Sequence, residues 1–167
     1  MKQPARGFSL LELAVAAAVI GILFGIFVER LTFYQEVVER ARFEATLRLY
    51  KTALQIRLAE LMLERRESEA RTLEDENPTQ WLSGNPTDYA GEYPADPQAG
   101  NWYFDPRSHE LVYVVLTGNR LTVAERNGPK QLRFRSRILY RPVTFAGGQA
   151  QAITGVALTP VQDYRWP

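Results

Sequence analysis

The chain has 167 residues, which predicts one domain or one domain with an extension. Its formal net charge is +1 at neutral pH, so the whole chain has no strong electrostatic preference for nucleic acid or for anionic membranes. It contains no cysteine and one histidine, which excludes a disulfide framework and thiol chemistry and leaves little basis for a zinc site or a histidine-based catalytic pair.

The first segment in chain order is an apolar run, Phe8 to Val28, behind a short polar leader. The run holds 21 residues, and Glu12 is its only ionisable side chain. A helix needs about 20 apolar residues to cross the hydrocarbon core of a membrane, so the run is long enough to span one. Lys2 and Arg6 precede it, which predicts that the N-terminal end stays cytoplasmic and that the chain from residue 29 onward lies across the bilayer.

Two features of this segment are unusual for a simple membrane anchor. A charge inside a membrane span costs about 2.5–3.5 kcal/mol on lenient insertion scales, and such a charge normally marks a function with a partner. The polar leader also stops abruptly at Gly7-Phe8. The sequence at this junction, G-F-S-L-L-E-L, resembles the class III signal of type IV prepilins and pseudopilins.

That resemblance implies roles for three residues. In the family, a prepilin peptidase cuts after the residue that matches Gly7 and methylates the new terminal amine, which here is that of Phe8. The residue that matches Glu12 pairs with the N-terminal amine of a neighbouring subunit as the helices assemble into a filament.

The resemblance also implies an organisation for the whole chain. Residues 1–7 are expected to be a cleaved leader, residues 8–28 a transmembrane and filament-core helix segment, and residues 29–167 a periplasmic or extracellular globular domain. The protein is then expected as a single-pass protein of the bacterial inner membrane and later as part of a pilus or pseudopilus. Its expected partners are the prepilin peptidase, other pilin or pseudopilin subunits and an inner-membrane assembly platform.

Two plainer interpretations of the apolar run remain. A secretory signal peptide has an apolar region of 7–15 residues before a small-residue cleavage site. The A-x-A pattern at Ala16–Ala18 lies instead in the middle of the apolar run, with more apolar residues behind it. An ordinary signal-anchor explains the length of the run but leaves Glu12 without a purpose.

The next segment, Glu29 to about Arg71, has a strongly helical composition. It contains no proline and no glycine and is rich in Leu, Ala, Glu and Arg. Apolar residues recur at spacings of three and four, at Leu47, Tyr50, Leu54, Leu58 and Leu61. The pattern predicts one helix from Phe8 to near Arg71, with an apolar stripe in its second half that packs on a sheet.

Residues 72–101 change character, and prolines and glycines predict a loop. The segment from Leu73 to Asn101 holds six carboxylates and no Lys or Arg. Its aromatic residues Trp81, Tyr89 and Tyr93 argue against disorder, because such rings usually pack. Oxygen ligands such as Asp96 could hold Ca²⁺, but the spacing matches no defined calcium loop, and a solvated acidic surface is the favoured interpretation.

From residue 102 to the C-terminus the pattern is β. The predicted strands are Trp102–Phe104, Leu111–Leu116, Leu121–Glu125, Gln131–Arg141 and Gly155–Thr159. The predicted fold is therefore α+β, with a long N-terminal helix packed on a four- to five-stranded antiparallel sheet. This arrangement resembles the pilin fold.

Three arginines, Arg133, Arg135 and Arg137, alternate along the predicted strand Gln131–Arg141 with apolar residues on its opposite face. The favoured interpretation is a solvated outer face. A docking surface for another subunit is the first alternative, and nucleic-acid binding is the less favoured one.

The sequence shows no catalytic, phosphate-binding or metal-binding motif, and the lone His109 is expected to be a solvated turn residue. We expect no enzyme activity, cofactor or metal. The predicted function is that of a structural subunit of a type IV filament, with a minor pilin involved in pilus assembly favoured. A pseudopilin of a type II secretion system is the alternative, and a membrane-anchored binding module that never polymerises is the second.

Overall fold

The computed structural model describes residues 9–82, 84, 86–123, 130–145 and 148–167. The predicted cleavage junction, Gly7-Phe8, lies outside these residues. The chain forms two units, one up to Val38 and the other Glu39–Pro167.

The long helix α1 covers Leu10–Leu63. Ser9 caps its N-terminus, because the Ser9 hydroxyl accepts a hydrogen bond from the Leu11 N–H at 3.2 Å. Within the first unit most apolar side chains of α1 are exposed, and Ala16 and Phe33 are partly buried. In the part of the chain that the structure describes, α1 is the one helix long and apolar enough to cross a membrane, by length and composition.

The end of α1 differs from the sequence prediction. The helix stops at Leu63 rather than near Arg71, and a 3₁₀ helix, Glu67–Glu74, follows. Arg65 has a left-handed backbone with φ 57°, and the Arg66 N–H donates to the Leu61 carbonyl at 2.8 Å. This bond and the one from the Arg65 N–H to the Met62 carbonyl at 3.2 Å make a Schellman termination. That motif usually has a glycine at the left-handed position. Because the residue here is Arg65, no sequence signal marked the end of the helix.

Seven strands are present in the described residues. They are β1 Tyr89–Glu92, β2 Trp102–Asp105, β3 Glu110–Val114, β4 Thr122–Val123, β5 Gln131–Phe145, β6 Gly148–Pro160 and β7 Tyr164–Arg165. Five of them form one sheet in the order β1-β2-β3-β5-β6, and β4 pairs with β7 apart from it. The predicted α+β class and the number of strands are confirmed, but the predicted strand Leu121–Glu125 is described only as far as Val123, where it pairs with β7, and β1 takes its place in the five-stranded sheet.

The prediction of a wholly antiparallel sheet is wrong at one edge, because β1 runs parallel to β2. β1 lies inside the segment 72–101, which was expected to be loop, and so does a short 3₁₀ helix, Pro78–Trp81. Strand β1 has only four residues, two of them Ala and Gly, so its composition gave no strand signal.

The core lies between the second half of α1 and one face of the sheet. The predicted stripe of α1 is buried, and its members are Leu47, Tyr50, Leu54, Leu58 and Leu61. Phe43 extends this stripe by one turn and stacks on Trp102 of β2, with ring centroids 5.3 Å apart and planes 3° apart. Phe134 of β5 and Trp166 near the C-terminus join the same aromatic cluster.

The other face of the sheet carries a smaller apolar cluster of Tyr103, Val112 and Val114. Tyr93, in the acidic segment Leu73–Asn101, packs on this cluster. Its ring is edge-to-face with that of Tyr103, with centroids 5.9 Å apart, and its hydroxyl donates to Gln131 at 3.1 Å. The expected packing of Tyr93 is therefore confirmed, and it holds this part of the acidic segment against the sheet.

Candidate functional site

Glu12 lies in the first turn of α1 and is exposed, with exposed apolar neighbours on both sides. Ser9 and Glu12 have the spacing of a capping box, in which the glutamate would accept from the Ser9 N–H. That bond does not form, and within the described residues the Glu12 carboxylate has no hydrogen bond or ion pair. An unpaired carboxylate in an apolar exposed helix surface can bind a cation that another molecule supplies.

The row of arginines noted in the sequence lies on the outer face of β5. The environments of its three members, Arg133, Arg135 and Arg137, differ. Arg133 is nearly buried, with 11% of its side chain exposed. Its guanidinium is 3.2 Å from Asp105 and 3.0 Å from Glu110, and it lies over the Tyr93 ring. Arg133 is therefore an internal structural residue rather than an exposed member of a basic row.

Arg135 and Arg137 complete the row on the solvent side. Arg135 donates to Glu110 at 3.0 Å and to the Ser108 carbonyl at 2.8 Å. Arg137 is exposed and has no ion-pair partner among the described residues. One carboxylate, that of Glu110, thus serves Arg133 and Arg135 together, and Arg137 keeps an uncompensated charge.

The pKa values of the partly buried pair, Asp105 and Arg133, agree with this geometry. Burial alone would raise the pKa of Asp105, but hydrogen bonds from the Arg107 N–H and the Arg133 guanidinium outweigh it and hold that pKa below its ordinary value of 3.8. Burial would lower the pKa of Arg133, and the bonds to Glu110 and Asp105 outweigh it and raise that pKa. Both groups therefore remain charged at neutral pH.

A second buried carboxylate, Glu39 of α1, was missed by the sequence analysis. It accepts hydrogen bonds from the Leu116 N–H at 2.6 Å, from the Thr117 N–H at 2.9 Å and from the Tyr113 hydroxyl at 3.1 Å. The Thr117 hydroxyl is a further donor. Burial, and then the nearby Glu39 carboxylate, raise the pKa of Tyr113, so this hydroxyl stays a donor. Glu39 therefore fastens the loop after β3 to α1.

Several carboxylates of the acidic segment also act within the fold. Asp88 accepts from the Thr46 hydroxyl at 3.1 Å, and Glu74 accepts from the Ile138 N–H at 2.7 Å. Asp75 takes part through its backbone carbonyl instead, which accepts a hydrogen bond from His109 Nδ1 at 2.8 Å. Among the described residues no three acidic or histidine side chains are grouped as a metal site would require.

Glu74, Asp75 and His109 also line an open cleft of about 320 Å³ with Arg107, Arg135 and Arg137. Its lining therefore carries charges of both signs.

The comparison with protein families gives one finding. Residues 2–28 match the family model described as the prokaryotic N-terminal methylation motif. That motif is the signal of type IV pilins and pseudopilins, and in this chain it includes the first part of the long helix α1, whose second half packs on the five-stranded sheet. The resemblance stated for the N-terminus is therefore confirmed.

No curated protein and no solved structure matches the chain. The motif covers Gly7, Phe8 and Glu12 but does not assign them roles. Cleavage after Gly7, methylation at Phe8 and pairing through Glu12 therefore stay predictions.

Proposed function

We propose that the protein is a structural subunit of a type IV filament, made as a precursor that a prepilin peptidase cleaves after Gly7. The observation that carries the proposal is the methylation motif at residues 2–28 together with an unpaired Glu12 on an apolar, exposed helix. A glutamate at this position has no purpose in a simple anchor. It has one if a neighbouring subunit supplies an N-terminal amine.

A second feature supports polymerisation rather than a solitary anchored module. Leu49, Ile56 and Leu63 are spaced seven residues apart on α1 and are 51%, 55% and 86% exposed. Thr52 and Ala59 lie between them and Ala45 lies one turn before Leu49, so the six positions alternate at spacings of four and three. A seven-residue apolar repeat on an exposed helix face suits packing against another helix, and we assign that role to α1 of a neighbouring subunit.

Within this class the protein is proposed to be a minor pilin that takes part in pilus assembly. The proposed route is a single pass through the bacterial inner membrane, with residues 29–167 in the periplasm, followed by insertion into the filament at the assembly platform. The motif marks pseudopilins of type II secretion equally well. Deleting the gene separates the two, because loss of pili with normal secretion supports the pilin and the reverse supports the pseudopilin.

Gly7→Glu is expected to block processing, because the peptidase must accommodate a small residue at the polar–apolar junction. Immunoblotting of cells with and without co-expressed peptidase should show only the full-length form for this variant. Gln3→Glu adds the same charge within the leader and should be processed normally. A mature-sized Gly7→Glu product would place the cleavage elsewhere.

Glu12→Leu is expected to leave membrane insertion and cleavage intact, since it removes the only charge from the span. Filament incorporation should fall at least about tenfold, because the neighbouring amine, with an ordinary pKa near 7.7–8, then lies uncompensated among apolar side chains. Sheared filaments and membranes are compared by immunoblot, with Leu13→Ile as the matched control. Equal incorporation of Glu12→Leu and wild type would remove the assembly role of Glu12.

A contact between the arginine row of one subunit and the acidic segment of another remains part of this proposal. Because Arg133 and much of Arg135 are engaged inside the chain, its principal residue is Arg137.

A further inference from the structure

The exposed apolar surface of α1 continues beyond the predicted membrane span. After Phe27 the residues Leu31, Tyr34 and Val38 recur at spacings of four and three, so they lie on one face of the helix. Leu31 is 43% exposed, Tyr34 60% and Val38 50%. The row stops where the second unit begins, at the buried Glu39. A continuous row of exposed apolar residues marks a surface that another molecule or a membrane covers.

Arg30 lies beside this row, two residues past the end of the span, and its side chain is exposed. The residues three and four positions away on either side are its neighbours on the helix surface, and all four are apolar or aromatic: Ile26, Phe27, Phe33 and Tyr34. Arg30 has no hydrogen bond or ion pair with any residue that the structure describes. Its guanidinium is therefore available to an anion outside the chain.

The position of Arg30 also opposes the predicted orientation of the span. Lys2 and Arg6 keep the N-terminal end cytoplasmic, and an arginine directly behind the span places a positive charge on the translocated side. Such a charge weakens the asymmetry that orients the helix. Its presence there is explained if it binds a group that is found at this level of the membrane.

The level of Arg30 follows from the geometry of the helix. The 21 residues of the span cover about 31 Å, close to the roughly 30 Å of a hydrocarbon core. With the span filling the core, Arg30 lies about 3 Å past its boundary and Tyr34 about 9 Å past it. The headgroup layer adds about 5–7 Å on each side. Because side chains on a helix lean toward its N-terminus, the Tyr34 ring leans back into this layer.

We propose that Arg30 and Tyr34 form a binding site for the phosphate group of a membrane phospholipid, in the leaflet where the span ends. The Arg30 guanidinium presents parallel N–H donors that match two phosphate oxygens. Tyr34 follows four residues later on the same side of the helix, and its hydroxyl donates to the same headgroup. Its ring packs at the boundary between apolar and polar layers, where tyrosine is enriched in membrane proteins.

The lipid is the occupant because of the level and the continuity of the surface. The row from Leu31 to Val38 continues the face of Phe27, which lies inside the span. A protein partner would have to carry a carboxylate at this depth, whereas each phospholipid of the leaflet presents a phosphate there. The apolar neighbours of Arg30 suit its long stem, which packs on apolar surface while the charged end reaches the polar layer.

The site also fixes the depth of Glu12 at the other end of the span. Glu12 lies 18 residues before Arg30, about 27 Å along the helix, and about 6 Å inside the opposite boundary of the core. A movement of α1 toward its N-terminus would bring Glu12 out of the hydrocarbon, where a charge is costly. The same movement would take Arg30 away from the phosphate layer. Arg30 therefore holds α1 at its depth against the charge of Glu12.

This site rests on the membrane insertion proposed above and not on filament formation. A single fluorophore can report the depth of α1 in the full-length protein, because the chain has no cysteine. Gln35→Cys, an exposed position next to Tyr34, carries a nitrobenzoxadiazole label in vesicles of phosphatidylethanolamine and phosphatidylglycerol. Quenching by a spin label high on the lipid acyl chains measures how close this position lies to the hydrocarbon.

Arg30→Gln is expected to increase that quenching at least about twofold, because α1 then moves toward its N-terminus and draws residue 35 inward. Tyr34→Phe should change it in the same direction by less, since the ring remains. Arg42→Gln is the matched control, because Arg42 is exposed on the same helix but belongs to the second unit, and it should have no effect. Equal quenching for wild type and Arg30→Gln would overturn the proposal.

A second lipid separates phosphate binding from the general cost of burying an arginine. In vesicles of digalactosyl diacylglycerol, which has no phosphate, the wild type should be quenched as strongly as Arg30→Gln. Equal quenching of the wild type in both lipids would mean that Arg30 only avoids hydrocarbon, and would overturn the site. Restoration of the wild-type depth in the glycolipid by inorganic phosphate would assign the site to free phosphate and would also overturn it.

A label at Ile20→Cys, in the middle of the span, distinguishes failure of this site from failure of membrane insertion. The Ile20 label should report hydrocarbon in wild type and in Arg30→Gln alike. If it reports water in the wild type, α1 does not insert, and the proposed membrane route fails together with the phosphate site. If it reports hydrocarbon while the Gln35 label ignores Arg30→Gln, the phosphate site alone is wrong.

Discussion

Glu39 shows how a single buried charge can be stabilised in this fold. Its carboxylate is removed from water, and the cost is offset by the backbone N–H groups of Leu116 and Thr117 and by the hydroxyls of Tyr113 and Thr117. Each of its two oxygens accepts from one backbone N–H, and an N–H can only donate, so the site requires an acceptor at both positions. The loop after β3 thereby acquires a fixed attachment to α1.

Glu39→Gln is expected to lower the free energy of unfolding by about 2 kcal/mol or more. The amide has the same shape, but its NH₂ group faces donors and leaves at least one of them unsatisfied, which costs about 1–3 kcal/mol. Urea unfolding of a fragment that begins at residue 29 measures the change. Glu44→Gln, half exposed on the same helix, should change it by less than about 1 kcal/mol. A similar, small effect of both substitutions would contradict the importance of this carboxylate.

A sequence signal for Glu39 does exist, although it is easily overlooked. Glu39 lies four residues before Phe43 and eleven before Tyr50, so it shares their apolar stripe on α1. A glutamate in such a stripe must find donors when the stripe is buried. Its partners could not be named from sequence, because they lie more than 70 residues away, in a loop whose position depends on the whole sheet.

At the scale of elements, the end of α1 depends on one left-handed residue. Arg65 has φ 57°, which costs a non-glycine residue roughly 1–2 kcal/mol. The two backbone bonds of the Schellman termination hold it there. The chain then turns into the 3₁₀ helix Glu67–Glu74, whose Glu74 reaches the edge of β5.

Arg65→Gly is therefore expected to raise the free energy of unfolding by about 1 kcal/mol, since glycine adopts this backbone without strain. Thermal and urea unfolding of the same fragment measure it. Arg66→Gly is the control and should destabilise the fragment modestly, because Arg66 forms ion pairs with Glu64 and Glu69. Destabilisation by Arg65→Gly as well would show that the arginine side chain, and not its backbone angle, stabilises the helix end.

Over the whole molecule, the features that the sequence could predict are the local ones. The membrane-length helix with its lone Glu12 needs only the composition of one segment, and the stripe from Leu47 to Leu61 needs only the helical period. The parallel pairing of β1 and the pairing of β4 with β7 join distant segments, so no local pattern reveals them. The same holds for Arg133, whose acidic partners come from β2 and β3.

The unpaired charge of Arg137 on the outer face of β5 gives the last prediction. Arg137→Glu is expected to weaken association with a partner pilin subunit several-fold at low salt and little at high salt, because an exposed charge steers and orients more than it binds. Binding is measured between the fragment that begins at residue 29 and the partner's soluble domain at two ionic strengths. The melting temperature should hardly change, since Arg137 has no ion pair among the described residues.

Arg133→Glu is the contrasting variant, because it places a third carboxylate beside Asp105 and Glu110 and should unfold the sheet locally. If Arg137→Glu binds as tightly as wild type at low ionic strength, the outer face of β5 is an ordinary solvated surface.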